Sequence, residues 1–128
     1  MSALTDGVLH ATIGVSSLSK AKGFYSDTLQ LTLEEEIPDA GLMYRSAGGG
    51  TLQVYESQYA GTSKSTAATF EVRDLDTAMT ELRGRGATFE DYDQPGLKTT
   101  DGVFAMGDFR GCWIKDPDGN ILSIVQRG

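Results

Sequence analysis

The sequence predicts an α+β fold built from two βαβββ repeats, whose strands form a curved mixed sheet around a shared cleft. One observation is an internal match, in which the two halves repeat each other at an offset of 57 residues, as between Ala11 and Ala68. Other pairs at this offset are Thr12 with Thr69, Val15 with Val72, Leu18 with Leu75 and Ala21 with Ala78. A second observation is the order of predicted elements, which in each half is strand, helix and then three strands. The match indicates an internal duplication, and 128 residues fit one domain.

The first repeat is predicted to span residues 8–57. Residues 8–15 are β-branched and apolar enough for a strand. Ser16 and Ser17 can cap a helix over 18–29, because serine side chains accept hydrogen bonds from the first turn. Apolar residues recur along that helix at helical spacing and are predicted to form one face, and they are Leu18, Ala21, Phe24, Tyr25 and Leu29. Strands over 31–37, 42–47 and 51–56 follow, separated by turns at 38–41 and 48–50.

A small, polar connector over 58–65 leads into the second predicted repeat, residues 66–126. A strand over 66–72 precedes a helix over 75–85, which Asp74 caps and Gly86 ends. A short strand is predicted over 87–91, then a polar loop over 92–100. Strands over 103–106, 110–115 and 121–126 complete the sheet, with a turn over 116–120 between the last two.

Each repeat covers one face of its sheet with its own helix and leaves the other face bare. The two bare faces can curve together, and the cleft between them is the default site for a ligand.

Composition excludes several classes of function. The formal charge is −7, and no basic stripe is present, so we expect no nucleic-acid partner. No stretch approaches the roughly 18 apolar residues of a membrane span, so we expect no membrane partner. The single cysteine, Cys112, excludes an internal disulfide. With no signal-peptide pattern at the N-terminus, these features predict a cytoplasmic protein.

The chain resembles the vicinal-oxygen-chelate superfamily, which contains the glyoxalase, bleomycin-resistance and dioxygenase-like domains. The resemblance covers nearly the whole chain and is carried by three stretches, LHATIGVSSLSKAKGFYSDTLQL, AATFEVRDLDTAMTELRGRGATF and KDPDGNILSIVQ. The Phe24–Tyr25 pair and the DPDGN turn contribute most to the resemblance. The resemblance implies one such domain over residues 1–128 and a homodimer as the usual assembly.

The resemblance also implies a metal site with one ligand from the first and last strand of each half. The corresponding positions here are His10, Gln53, Ala67 and Ser123. His10 and Gln53 are plausible ligands, whereas Ala67 has no donor atom and Ser123 offers only a neutral hydroxyl. Catalytic zinc and iron sites generally use three nitrogen, sulfur or carboxylate donors. We therefore predict a degenerate site with no metal and no other cofactor.

Several single residues have both a functional and a structural interpretation. His10 is the candidate general base, or else a packed remnant of the ancestral site, and Gln53 or Ser123 could orient it. Trp113, Tyr44 and Tyr55 can stack on a flat ligand or belong to the core. Arg110 can bind an anionic ligand or pair with a surface acid. We take His10, Gln53, Ser123, Tyr44, Tyr55, Arg110 and Trp113 as the candidate ligand-binding set.

The leading hypothesis from the sequence is a metal-independent, bleomycin-resistance-like protein that binds a small organic molecule between the repeats. The alternative is a lyase, isomerase or dioxygenase-like enzyme of the same superfamily, with a degenerate or non-standard metal site. A structural or regulatory protein without a ligand is a third possibility. Fold does not decide among them.

Overall fold

A first mixed sheet and one helical segment are built from the N-terminal half of the chain. The computed structural model describes residues 2–38 and 40–128, so Asp39, in the predicted turn at 38–41, lies outside the described residues. The strands are β1 (Ala11–Val15), β2 (Thr32–Ile37), β3 (Gly41–Arg45) and β4 (Thr51–Glu56). They lie in the order β1-β4-β3-β2, with β1 parallel to β4 and the other pairs antiparallel.

The helix between β1 and β2 changes its winding partway along. Helix α1 covers Leu18–Lys22, and Ser17 caps it by accepting a hydrogen bond from the Lys20 amide. The predicted continuation to residue 29 is instead a π-helical segment, Gly23–Thr28, in which the Leu29 amide donates to Phe24 O. The winding changes from α-helical to π-helical at Gly23. Glycine has a weak helix propensity, so it stabilises the α-helical form little at this point.

The second half repeats this plan. Its sheet contains β5 (Thr66–Glu71), β8 (Phe104–Met106), β9 (Phe109–Lys115) and β10 (Ile121–Arg127), in the order β5-β10-β9-β8. Here β5 runs parallel to β10, as β1 does to β4. Helix α2 (Leu75–Gly84) is capped by the Asp74 side chain. The predicted α+β class with two βαβββ repeats is confirmed by this architecture.

Two details of the second half differ from the prediction. The strand expected over 87–91 is reduced to an isolated bridge between Phe89 and Ile114. The loop expected over 92–100 contains a short hairpin, β6 (Asp93–Gln94) with β7 (Leu97–Lys98). Pro95 and Gly96 lie between these strands and form the turn, since glycine tolerates the φ of +80° found at Gly96.

The core lies between each sheet and its helix. Buried residues alternate along the strands, as Ile13 and Val15 do in β1 and Leu52 and Val54 in β4. In the second half, Leu122 and Ile124 are buried on the same side as Ile114 and Cys112, their strand neighbours. Burial raises the pKa of the Cys112 thiol to about 11, so this cysteine is an inert core residue.

The two halves are joined by a buried polar network around the turn between β9 and β10. The Tyr25 hydroxyl donates to Asp116 Oδ2 at 2.8 Å. The Asn120 amide group donates to the same oxygen and to Gly14 O, both at 2.8 Å, while its oxygen accepts from the Gly61 amide at 3.1 Å. The turn of the second half is therefore bonded to the helical segment, the first strand and the connector.

Within residues 2–38 and 40–128, no helix has the length and apolar character needed to cross a membrane.

Candidate functional site

A pocket of about 440 Å³ lies between the two halves of the chain. The first half contributes the start of β1 and of β4, Leu31 just before β2, Tyr44 of β3 and the turn between β3 and β4. The second half contributes β5 and the residue that follows it. The lining residues are Ala11, Leu31, Tyr44, Ser46, Gly48, Gly50, Thr51 and Leu52 from the first half, and Ala68, Thr69, Phe70, Glu71 and Val72 from the second. The pocket volume lies in the range of small-molecule sites.

The pocket wall is largely apolar and carries one charged residue. The apolar lining residues include Leu31, Leu52 and Phe70. The charged residue, Glu71, is paired with Arg127, whose Nε and Nη2 lie 2.9 and 2.8 Å from Glu71 Oε1. Because this pair balances its charge at an exposed position, the wall favours a neutral, mainly apolar molecule.

His10 does not line the pocket itself but contacts Thr51, a residue that does. Its Nδ1 is 2.6 Å from Thr51 Oγ1, and Thr51 lines the pocket. The Thr51 hydroxyl also donates to Leu9 O at 3.2 Å. His10 is half-buried and directly precedes β1. The structure therefore places this predicted site residue one hydrogen bond from the pocket wall.

In the second half, Ser123 makes a contact that corresponds to the contact of His10 in the first half. Its Oγ lies 2.6 Å from Oγ1 of Thr69, which lines the pocket. Ser123 and Thr69 are in-register neighbours on β10 and β5, so their side chains leave the sheet on the same face. Ser123 is only 5% exposed, whereas Thr69 is exposed. A hydroxyl pair from the second half thus matches the His10–Thr51 pair from the first.

Tyr44 is the one member of the predicted ligand-binding set that lines the pocket itself. It lies on the helix-covered face of the first sheet, where its ring packs 6.0 Å from that of Tyr25. Its hydroxyl lies 2.8 Å from Ser26 Oγ. Burial raises the pKa of Tyr44, and the hydrogen bond with Ser26 opposes that shift. The ring is part of the core and of the pocket wall at once.

Gln53 and Tyr55 lie on the opposite face of the first sheet. Gln53 is in register with Thr12 and Met43, on the side that α1 does not cover. Tyr55 follows two residues later on the same face and is 40% exposed. Neither residue is among those that line the pocket.

Trp113 and Arg110 are also separate from the pocket. Trp113 shares the uncovered face with Ser123, its in-register neighbour, and its ring meets Tyr92 edge-on at 5.4 Å and Phe104 at 6.3 Å. Arg110 instead pairs with Asp76 of α2, with its Nη2 2.7 Å from Oδ1 and its Nη1 3.3 Å from Oδ2. This pairing with a surface acid is the structural role considered for Arg110.

The side chains present do not fit the metal site that the family resemblance implies. Over residues 2–38 and 40–128, no three His, Cys, Asp or Glu side chains are grouped so that they could hold an ion. His10 is the one histidine of the sequence and belongs to no such group. Ala67 has no donor, and the Ser123 hydroxyl is already bonded to Thr69. Divalent ions need several strong donors to replace their water ligands.

Thr51 and Thr69 were absent from the predicted set, although each connects a predicted residue to the pocket. The sequence did contain a signal for Thr69. This residue matches Thr12 at the 57-residue offset, and it lies two residues from Ala67, on the same face of the strand. Thr51 carries no such signal, because its contact with His10 depends on how β1 is aligned beside β4.

Comparison with known proteins identifies the same type of domain over most of the chain. Residues 7–124 match the family model described as the Glyoxalase/Bleomycin resistance protein/Dioxygenase superfamily. No curated protein sequence is significantly similar to the chain.

Solved structures share the fold along nearly their whole length. A member of the glyoxalase/bleomycin resistance protein/dioxygenase superfamily from Sphaerobacter thermophilus DSM 20745 is 27% identical, with a TM-score of 0.69 over 94% of this chain and 98% of that one. TnmS3, an antibiotic binding protein from Streptomyces sp. CB03234, is 23% identical, with a TM-score of 0.69 over 95% and 98%. The fosfomycin resistance protein FosX from Listeria monocytogenes is 13% identical, with a TM-score of 0.70 over 95% and 93%.

Proposed function

Because the chain belongs to the glyoxalase/bleomycin resistance protein/dioxygenase superfamily, we propose that it binds a small organic molecule between its two halves without a metal ion. The halves correspond to the modules that we propose at residues 8–57 and 66–126, joined by the connector at 58–65.

The observation that carries this proposal is the pocket of about 440 Å³ lined by residues of both modules. Its apolar wall supplies the hydrophobic contact that dominates the affinity of small ligands. The lining also includes hydroxyl-bearing residues of both modules, Ser46 and Thr51 from the first and Thr69 from the second. A molecule bound there contacts both modules at once.

The absence of a usable ligand set supports the metal-independent form of the proposal. His10 and Gln53 are the two plausible donors at the family positions, and Gln53 lies on the uncovered face of the sheet rather than on the pocket wall. An ion held by one imidazole and one neutral amide keeps most of its water and binds weakly.

Two proteins of the same fold support the class of ligand. TnmS3 is an antibiotic binding protein and FosX is a fosfomycin resistance protein. An antibiotic or a similar secondary metabolite with a largely apolar framework is therefore the kind of molecule that we propose for this chain.

The competing function is an enzyme of the superfamily that uses His10. The observation that favours it is the contact between His10 Nδ1 and Thr51, since an imidazole held through one nitrogen can present the other to a substrate. A reaction would require turnover of the bound molecule, whereas a binding protein releases it unchanged. Mass spectrometry of the recovered ligand distinguishes these two outcomes.

We also propose a homodimer. Large apolar side chains are exposed at Val8 (77%), Leu9 (92%), Tyr59 (69%) and Met106 (67%). The outer edges of the two sheets, at β2 and at β8, have no hydrogen-bonded strand neighbour among residues 2–38 and 40–128. Unpaired strand edges and exposed apolar side chains are commonly covered by a partner subunit.

The proposal is tested by thermal melting of chelator-treated protein against a panel of antibiotics and other neutral, apolar metabolites. A ligand that binds the folded chain raises the melting temperature in proportion to the logarithm of its concentration above Kd. We expect such compounds to stabilise the protein without added metal. Stabilisation that appears only when zinc, nickel or manganese is supplied would favour the enzyme with a non-standard metal site.

A further inference from the structure

We infer that the pocket between the modules is the counterpart of a place that the Asn120 side chain fills at the other end of the module junction. The ligand of the pocket carries an NH₂ group, as in a primary carboxamide, that takes over the hydrogen bonds of this side chain. This inference rests on the proposed binding function and specifies the chemistry of the molecule that is bound.

The two modules have the same type of turn before their last strand. In the second module, the Asp116 amide donates to Asn120 O at 3.0 Å, and the Asn120 amide donates to Asp116 Oδ1 at 2.8 Å. In the first module, the Ser46 amide donates to Gly50 O at 2.9 Å, and the Gly50 amide donates to Ser46 Oγ at 3.2 Å. Gly50 therefore corresponds to Asn120, and Ser46 corresponds to Asp116.

The backbone carbonyls that face the junction also correspond. Gly14 on β1 matches Glu71 on β5 at the 57-residue offset, and these two strands lie side by side at the inner edges of the two sheets. Val15 O accepts a hydrogen bond on the β4 side, and the Val72 amide donates to β10. Because successive residues of a strand direct their backbone groups to opposite sides, Gly14 O points away from β4 and Glu71 O points away from β10. Both carbonyls therefore face the junction.

The side chains of the two turns treat these carbonyls differently. The Asn120 side-chain NH₂ group donates to Gly14 O at 2.8 Å. Gly50 has no side chain with which to donate to Glu71 O. Ser46, Gly50 and Glu71 all line the pocket. The pocket therefore lies where the first module lacks the donor that the second module supplies.

A ligand NH₂ group has two acceptors at this place. Asn120 gives its second NH₂ proton to Asp116 Oδ2, at 2.8 Å. The corresponding acceptors in the pocket are Glu71 O and Ser46 Oγ. Ser46 Oγ accepts one hydrogen bond from the backbone of its own turn, and a hydroxyl oxygen has a second lone pair. Since the apolar wall disfavours a buried charge, the neutral NH₂ of a carboxamide fits better than an ammonium group.

The first test gives the first module the side chain of the second. Gly50→Asn is sterically allowed, because φ at Gly50 lies outside the left-handed region and an added Cβ meets only Ser46 Oγ at 3.4 Å. We expect the carbonyl carbon-13 NMR resonance of Glu71 to move downfield, as it does when a carbonyl accepts a hydrogen bond. Gly50→Ala adds the Cβ without the NH₂ group and should not move it, and Gly14 should keep its resonance in both variants. A Glu71 resonance that is the same in Gly50→Asn and Gly50→Ala overturns the inference, whatever the protein binds.

The second test uses two probes of nearly equal shape, para-ethylbenzamide and para-ethylacetophenone, which differ by an NH₂ in place of a CH₃ group. We expect the wild-type protein to bind the amide about three- to tenfold more tightly, the effect of one neutral hydrogen bond. The amide alone should move the Glu71 carbonyl resonance. Gly50→Asn should lose the preference because Glu71 O then has its donor, and Gly50→Ala should keep it.

The outcomes separate this inference from the proposed function. Equal binding of the two probes by the wild-type protein overturns the NH₂ assignment and leaves small-molecule binding intact. Failure of both probes to bind, with the resonances of the lining residues unchanged, overturns the inference and counts against the pocket as a binding site.

Discussion

The Tyr25 hydroxyl donates a 2.8 Å hydrogen bond to the carboxylate of Asp116, 91 residues further along the chain. Both residues are buried, at 0% and 5% exposure. Burial raises the pKa of Tyr25 far above its usual range, and the Asp116 charge adds to the shift. The tyrosine therefore stays protonated and remains the donor, which fixes the helical segment of the first module to the turn of the second.

Tyr25→Phe removes this bond while keeping the ring. We expect the free energy of unfolding to fall by about 1.5–3 kcal/mol, the range for a hydrogen bond to a charged group. Tyr44→Phe is the matched control, because it removes a contact between neutral hydroxyls and should cost about 0.5–1.5 kcal/mol. Urea unfolding of the two variants gives the comparison. Equal losses in both variants would contradict the importance given to the Asp116 contact.

Gly61 is predicted to tolerate no side chain, because this residue of the connector lies against the turn between β9 and β10. Its φ is +70°, and an added Cβ would lie 1.9 Å from Asp118 O. We expect Gly61→Ala to lower the free energy of unfolding by more than about 4 kcal/mol, or to prevent folding. Gly49→Ala, with φ of +102° and no atom within 4 Å of the added Cβ, should cost only about 1–2 kcal/mol.

Chemical denaturation of these two glycine variants measures the difference. A Gly61→Ala protein as stable as Gly49→Ala would mean that the connector does not approach the turn in solution.

The fold could be predicted because the duplication appears as a 57-residue offset and because strand and helix periodicities differ. The change to π-helical winding at Gly23 was not predictable, since the apolar spacing of Phe24 and Tyr25 fits both windings. The strand expected over 87–91 is only a bridge at Phe89, because sequence pattern does not reveal how many neighbours a strand will find.

The site was predicted less completely than the fold. His10, Ser123 and Tyr44 were named, but Thr51 and Thr69, which connect the first two to the pocket, were missed. Their importance arises from the alignment of β1 beside β4 and of β5 beside β10, which a single sequence does not specify. Arg110 was named for its charge, and its pairing with Asp76 depends on the placement of α2 over the second sheet.

Metal addition should leave the protein unchanged. Zinc, nickel or manganese should not raise the melting temperature, because His10 belongs to no group of three donor side chains within residues 2–38 and 40–128. An ion stabilises a fold only by binding it better than the unfolded chain. His10→Ala should not alter the metal content measured by elemental analysis. About one metal ion per chain after exhaustive dialysis, lost in His10→Ala, would contradict the metal-independent proposal.

The dimer is tested by light scattering at micromolar concentration. We expect a mass near twice the 13.7 kDa of one chain, because association would cover exposed apolar side chains such as Leu9 and Met106. Leu9→Ser should weaken the dimer if that residue is covered, whereas Thr80→Ser, on an exposed position of α2, should not. A mass near 13.7 kDa for the unmodified protein would exclude the dimer at that concentration.

The central claim is that a small molecule binds in the pocket between the modules without metal. Gly50→Phe places a ring at the pocket wall, where an added Cβ meets only Ser46 Oγ at 3.4 Å, and Gly84→Phe is a control in open space on α2. The most direct measurement is calorimetric titration of the most stabilising compound into chelator-treated wild-type, Gly50→Phe and Gly84→Phe proteins. The account predicts equal binding by the wild-type and Gly84→Phe proteins and at least about tenfold weaker binding by Gly50→Phe, a difference of about 1.4 kcal/mol. Binding that requires added metal, or that Gly50→Phe leaves unchanged, would contradict it.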